Sequence, residues 1–125
     1  PVNSFNISKK AGFKAEQSGP RTGIYNFADI DDNILSIHHF IKLYKFGITR
    51  AHDNLSLEIR NNRLSRKKAI EIAKKEIKKI PHKDIEVFCK FINITKNDFF
   101  KICQKFRNKK IWSKVNKKWH LKNQL

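Results

Sequence analysis

Arg50, Asp53, Ser56 and Arg60 are the side chains in this 125-residue sequence whose types and spacing could act together. Intervals of three, three and four residues place them on one face of a helix turning about 100° per residue. Forked guanidiniums match phosphate oxygens. The plain alternative is a surface ladder of charges that attract one another weakly at these intervals. Two features favour a site. Arg stands here although Lys is the preferred basic residue of the chain, and Arg is the residue suited to bidentate phosphate contacts. The stripe also follows Lys45-Phe46-Gly47, a helix end where free amides and fixed side chains can meet a ligand together.

These residues need elements to hold them. In "DIDDNILSIHHFIKLYKFG", Ile34, Ile37, Ile41 and Tyr44 recur at helical intervals, with Asp31 or Asp32 to cap the start and Gly47 to end it. Thr49 then caps a helix running to about Asn61, with Ile48, Ala51, Leu55 and Ile59 on its apolar stripe. Ser65 opens a third helix, "SRKKAIEIAKKEIKKI", with Ile70, Ala73, Ile77 and Ile80 inward, stopped by Pro81. A fourth covers "KDIEVFCKFI", with Ile85, Phe88 and Ile92 inward. Thr95 and Asp98 form a variant capping box for a fifth, which turns Phe99, Cys103 and Phe106 inward. The tail "IWSKVNKKWHLK" reads as a short strap or hairpin turning at Asn116-Lys117 and clamped by Trp112 and Trp119. Residues 1–28, with "EQSGPRTG" and no helical period, read as an extended or partly disordered lead-in. The expected fold is therefore all-α: about five short helices over residues 29–125, with that lead-in and a short C-terminal strap or hairpin.

Composition narrows the function classes. A net charge of +17 points to polyanions such as nucleic acid, anionic lipid or phosphorylated ligands. A chain rich in Lys, Asn and Ile also acquires such charge from A/T-rich codons alone. Lys67, Lys68, Lys74, Lys75, Lys78 and Lys79 make the third helix basic outside, which suits either a solvated face or a nucleic-acid-binding module. His38 and His39 diverge on their helix, and His82, Cys89 and His120 lack ligand spacing, so no metal site is expected. Cys89 and Cys103 read as buried thiols in a reducing, cytoplasmic setting. No apolar run approaches membrane-spanning length, no signal peptide is evident, and no Gly-rich phosphate loop occurs.

The stretch "YNFADIDDNILSIHHFIKLYKFGITRAHDNLSLEIRNNRLSRKKAIEIAKK" resembles the C-terminal region of the N-acetyl sugar amidotransferases of lipopolysaccharide (O-antigen) biosynthesis, members of the PP-loop ATPase superfamily. Their pattern runs Lys-Phe-Gly-x-Gly-Arg-Ala-Thr-Asp, then a Ser, Ile-Arg-Asn-Gly, and Thr-Arg-Glu-Glu before a helix. Lys45, Phe46, Gly47, Arg50, Ala51, Asp53, Ser56, Ile59, Arg60, Asn61 and Arg66 match it. The later "FINITKNDFFKICQKFRNKKIW" resembles the family's closing segment, and the likeness covers about residues 23–112. Thr49, His52 and Asn62 depart from it, standing where the family tends to have Gly, Thr and Gly.

The resemblance implies an enzyme that uses ATP and Mg²⁺ to convert an N-acetyl group on a nucleotide-linked sugar to an acetamidino group, with ammonia supplied by a separate glutaminase subunit. It further implies phosphate or substrate binding by Lys45, Arg50, Asp53, Ser56 and Arg60. The family's Ser-Gly-Gly-x-Asp-Ser nucleotide loop and its Cys-x-x-Cys pair lie in the N-terminal part, and neither occurs in these 125 residues. The chain is accordingly expected to be the helical C-terminal domain of a larger protein. It would partner an N-terminal PP-loop domain, and alone it would be inactive and bind no cofactor.

Overall fold

The structure is a computed structural model that describes residues 2–32 and 34–123. Among these residues there are six α-helices: α1 (Val2–Lys10), α2 (Leu35–Phe46), α3 (Arg50–Arg60), α4 (Arg66–Glu76), α5 (His82–Phe91) and α6 (Lys96–Lys105). A hairpin of β1 (Trp112–Val115) and β2 (Lys118–Leu121) ends them. The mainly helical architecture with a C-terminal hairpin is the one the sequence predicts, and its five expected helices are α2 to α6.

Local chemistry explains the helix ends. Asp32 Oδ1 accepts hydrogen bonds from the amides of Ile34 at 2.7 Å and Leu35 at 3.2 Å, which starts α2. Gly47 closes α2 at φ +72°, donating to the Leu43 carbonyl at 2.9 Å. The positive φ favours glycine there, and a Cβ would lie 2.7 Å from Leu121 Cδ2, which would have to shift. Ser65 Oγ accepts from Lys68 N, and Thr95 Oγ1 from Asp98 N at 3.0 Å, opening α4 and α6.

Two apolar clusters form the core. Ile37, Phe40, Tyr44, Ile85, Cys89, Phe99 and Cys103 join α2, α5 and α6. Ala51, Leu55, Ala69 and Ala73 join α3 and α4, with Ile24, Ile59, Leu64 and Ile72 around them. Both cysteines are buried free thiols, as expected. Burial pushes the Cys103 thiol up to about 11, so it stays protonated.

The hairpin packs under α2. Trp112 Nε1 donates to the Tyr44 carbonyl at 3.1 Å, and the Arg107 guanidinium lies 4.1 to 5.0 Å from the rings of Tyr44, Trp112 and Trp119. The turn is at Asn116 (φ +48°) and Lys117 (φ +64°), the two left-handed positions of a type I′ turn.

Three expectations need correction. Residues 2–10 are helical rather than extended. α1 buries no residue fully; Phe5 holds it by stacking on Phe27 at 4.2 Å. With one aromatic anchor there is no apolar period to read. Residues 21–25 are also packed: Thr22 and Tyr25 are buried, and Tyr25 Oη donates to Glu58 of α3. Second, α4 stops at Glu76, and Ile80 is exposed, because the residue before Pro81 is steered away from helical geometry. Its buried residues are Ala69 and Ala73, small enough to let α3 approach closely. Third, Ile34, Ile92 and Phe106, expected inward, are exposed where they flank their helices.

Candidate functional site

The four stripe residues share the outer face of α3 but do not form a ladder. Arg50 Nε lies 3.4 Å from Asp29 Oδ2, in the loop before α2, without making a hydrogen bond. Asp53 pairs with Lys42 of α2 at 2.8 Å. No ion pair joins Asp53 to Arg50 or Arg60 among the described residues. Ser56 Oγ donates to the His52 carbonyl one turn back at 2.8 Å, so its hydrogen is already used. Arg60 is exposed at the last turn of α3. Lys45 is exposed in the last turn of α2, where its charge suits the helix dipole, with Nζ 5.6 Å from the Phe106 ring centroid.

Of the five residues, Arg50 lines a cavity that the other four do not. That cavity, of about 390 Å³, lies between the 20–23 loop, α2, the start of α3 and the chain around Pro81. Ser36, His39, Phe40 and Leu43 of α2 form one wall; Thr49, Arg50 and Ala51 another; Arg21, Thr22 and Gly23 a third; Glu76, Lys79 and Ile80 the last. Ser36 is only 4% exposed, and its Oγ has no partner. Neither the His39 Nδ1 nor the Arg50 Nε finds a hydrogen bond.

The loop is fixed on α3 from below. Asn54, buried, accepts from the Ile24 amide at 3.2 Å. Gly23 (φ +62°) passes so close that a Cβ would lie 2.0 Å from Asn54 Oδ1 and 3.1 Å from Arg50 Cγ. Thr22 Oγ1 donates to Asp29, the carboxylate beside Arg50, and Arg21 reaches Asp84 of α5 at 3.5 Å. Burial, then the Arg50 charge and His38, push the His39 imidazole below its usual value, while Asp29 opposes them. His39 is therefore a neutral imidazole at the edge of a donor-rich cavity.

The departures from the family pattern compensate one another. Thr49 is the N-cap of α3 and His52 its third residue, and the Thr49 amide donates to His52 Nδ1 at 3.0 Å. Asn62, where the family tends to have Gly, sits at φ +54°, a conformation Asn tolerates better than most residues.

Arg21 and Ser36 were not singled out from the sequence, and His39 was weighed only as a metal ligand beside His38. Ser36 and His39 are three apart on α2, a spacing shared by any helix face, and Arg21 lies in the loop dismissed as lead-in. The signal available was the scarcity of arginine in a lysine-rich chain. Among the described residues no group of three or more His, Cys, Asp and Glu could hold a metal ion, and no helix is long and apolar enough to cross a membrane.

A family model described as "LPS biosynthesis protein WbpG-like, C-terminal domain" matches residues 21–125. No curated protein matches the chain. The matched span begins at Arg21, so it includes the loop that closes over Arg50.

Proposed function

The chain belongs to the family of WbpG-like C-terminal domains of LPS biosynthesis proteins, and from that premise we propose that it is the phosphate- and substrate-binding domain of an ATP-dependent N-acetyl sugar amidotransferase. In this reading an N-terminal PP-loop domain of the same cytoplasmic protein binds ATP. A glutaminase subunit delivers ammonia. The N-acetyl oxygen of a nucleotide-linked sugar leaves on AMP, and the nitrogen of ammonia takes its place, giving the acetamidino group.

One observation carries the proposal. Arg50, within the most specific stretch of the resemblance, is the stripe residue that enters a cavity, and its Nη atoms make no hydrogen bond to any described residue. A free guanidinium fork there stabilises phosphate charge as it builds up on a leaving group. Arg60 and Lys45, both exposed, add positive surface on the same helices. Asp53 pairs with Lys42 at the same end of the helix, and in this reading the ATP and its Mg²⁺ are held mainly by the PP-loop domain.

The full-length enzyme tests this. Arg50→Ala is expected to lower kcat/KM by about 100-fold, the usual scale for losing one charge-stabilising donor, with unchanged thermal unfolding. Near-normal turnover of ammonia and ATP into the amidine product would sink the reading, as would a wild-type enzyme that makes no amidine.

A further inference from the structure

The cavity at Arg50 contains groups that nothing above has put to use. Ser36 Oγ is buried, yet among the described residues it has no hydrogen-bond partner, not even a carbonyl of its own helix. Leaving a buried hydroxyl unpaired costs on the order of 1–3 kcal/mol. The Arg50 Nε–H can only donate, so whatever satisfies it must present an acceptor. Arg50 and Ala51, whose amides open α3 and have no partner within their helix, line the same cavity. The positive end of an 11-residue helix points there.

The acids around the cavity do not fill it. Asp29 lies on the Nε side of Arg50 and accepts from Thr22; Asp84 faces Arg21; Glu76 holds Lys79 at 2.6 Å. Each is bound to a cation on the wall, which leaves the Arg50 Nη atoms, Ser36 and His39 for a ligand.

We propose that Arg50, Arg21, Ser36, His39 and the first amides of α3 form a binding site for a phosphate-type oxyanion that is complete within this chain. Ser36 and the α3 amides donate to its oxygens, the guanidiniums supply charge, and the imidazole donates through whichever nitrogen carries its proton. The volume of about 390 Å³ exceeds the needs of a single phosphate and suits a diphosphate. Two sources share this chemistry: pyrophosphate as a leaving group, and the diphosphate of a nucleotide-linked sugar. The existence of the site rests on its geometry; the choice of these two sources rests on the amidotransferase reading.

The test uses this 125-residue chain, titrated with inorganic pyrophosphate and with a nucleoside diphosphate while imidazole resonances are followed by NMR. Saturable binding is expected, accompanied by a rise in the His39 pKa, because an anion opposes the effect of the Arg50, His38 and Lys42 charges that depress it. Ser36→Ala, which suits a helix at least as well as serine, should weaken binding about tenfold, or 1.4 kcal/mol. Arg50→Met should weaken it more, and Lys67→Gln with Lys68→Gln, on the far face of α4, should leave it unchanged. Tighter binding of the nucleoside diphosphate supports the sugar-nucleotide source, and equal or tighter binding of pyrophosphate supports the leaving group. Absence of saturation by about 10 mM overturns the site, as does a Ser36→Ala variant that binds like wild type, since the anion would then be held by diffuse lysine charge. An enzyme that forms no amidine, with these results intact, would leave the site standing and remove only the reaction assigned to it.

Discussion

At the scale of single residues, two histidines and one glutamate set how the protein responds to acid. Burial pushes His39 and His52 below the usual histidine value, and Arg50 and Lys42 respectively add to the shift. Since the folded values are depressed, the unfolded chain takes up protons first. The associated stability is present above about pH 6.5 and is lost as pH falls through the depressed folded values. His52 has a further reason to stay neutral, because its Nδ1 lone pair accepts the Thr49 amide. The Arg63 side chain, with Tyr25, holds Glu58 down to about 2, so its contribution is lost only in a separate window, as pH falls from about 4.5 toward 2. Its partner Arg63 is half-exposed, so solvent screening keeps the weight of the pair small. Urea unfolding should therefore show a falling midpoint between about pH 7.5 and 5.5. Replacing both histidines by Gln, which at position 52 keeps an acceptor for the cap, should flatten that slope. An unchanged slope would mean the histidines are not its source.

At the scale of elements, termini and turns decide more than helix interiors. Four of the five expected helices have their start or end held by a named side chain or glycine: Asp32 and Gly47 for α2, Thr49 for α3, Ser65 for α4, Thr95 for α6. The hairpin is the weaker element, because Lys117 is held at φ +64°, where a side chain is strained. Lys117→Gly relieves this and gives the Asn-Gly pair that favours a type I′ turn. It should raise stability by about 1 kcal/mol, seen as a melting temperature about 4 °C higher. No rise would show that the turn opens before the rest unfolds. The same glycine logic runs through the site: Gly23 lets the loop lie against Asn54 and Arg50, and Gly47 lets the hairpin reach α2.

At the scale of the whole molecule, the two clusters divide the labour. The aromatic and thiol-rich cluster ties α2 to α5 and α6, and the alanine-lined cluster packs the Arg50 helix on α4. α2 belongs to the first cluster and forms a wall of the cavity, so the site lies on the seam between the two. The net charge of +17 is concentrated in lysines, and Lys67, Lys68, Lys74 and Lys75 of α4 are exposed. Their positions suit a solvated face. Changing these four to Gln should leave turnover of the full-length enzyme within about twofold, while reducing the salt-sensitive attraction to a DNA duplex that any such charge produces. Loss of turnover, or duplex binding that depends on Arg50 rather than these lysines, would favour a nucleic-acid-binding module instead.

What the sequence determined by itself is local. The periods of Ile37 to Tyr44 and Ala51 to Ile59, the caps at Asp32, Thr49, Ser65 and Thr95, the stop at Gly47 and the turn at Asn116-Lys117 each follow from neighbours within a few residues. Family membership was legible for a similar reason, since the run from Lys45 to Arg66 keeps the family's order of residue types. What tertiary structure alone decided is which side chains meet. Arg50 faces Asp29 and not Asp53, Asp53 faces Lys42, and Phe5 ties an apparently featureless segment to Phe27 as α1. Ser36 and His39 became site residues because the loop at 20–23 folds back over α2 and α3, about thirty positions away in the chain for its bond to Asn54. A periodic pattern reports which face of a helix is buried, but a partner brought by a loop leaves no period. The fold was therefore readable from spacing, and the cavity existed only once the chain had closed on itself.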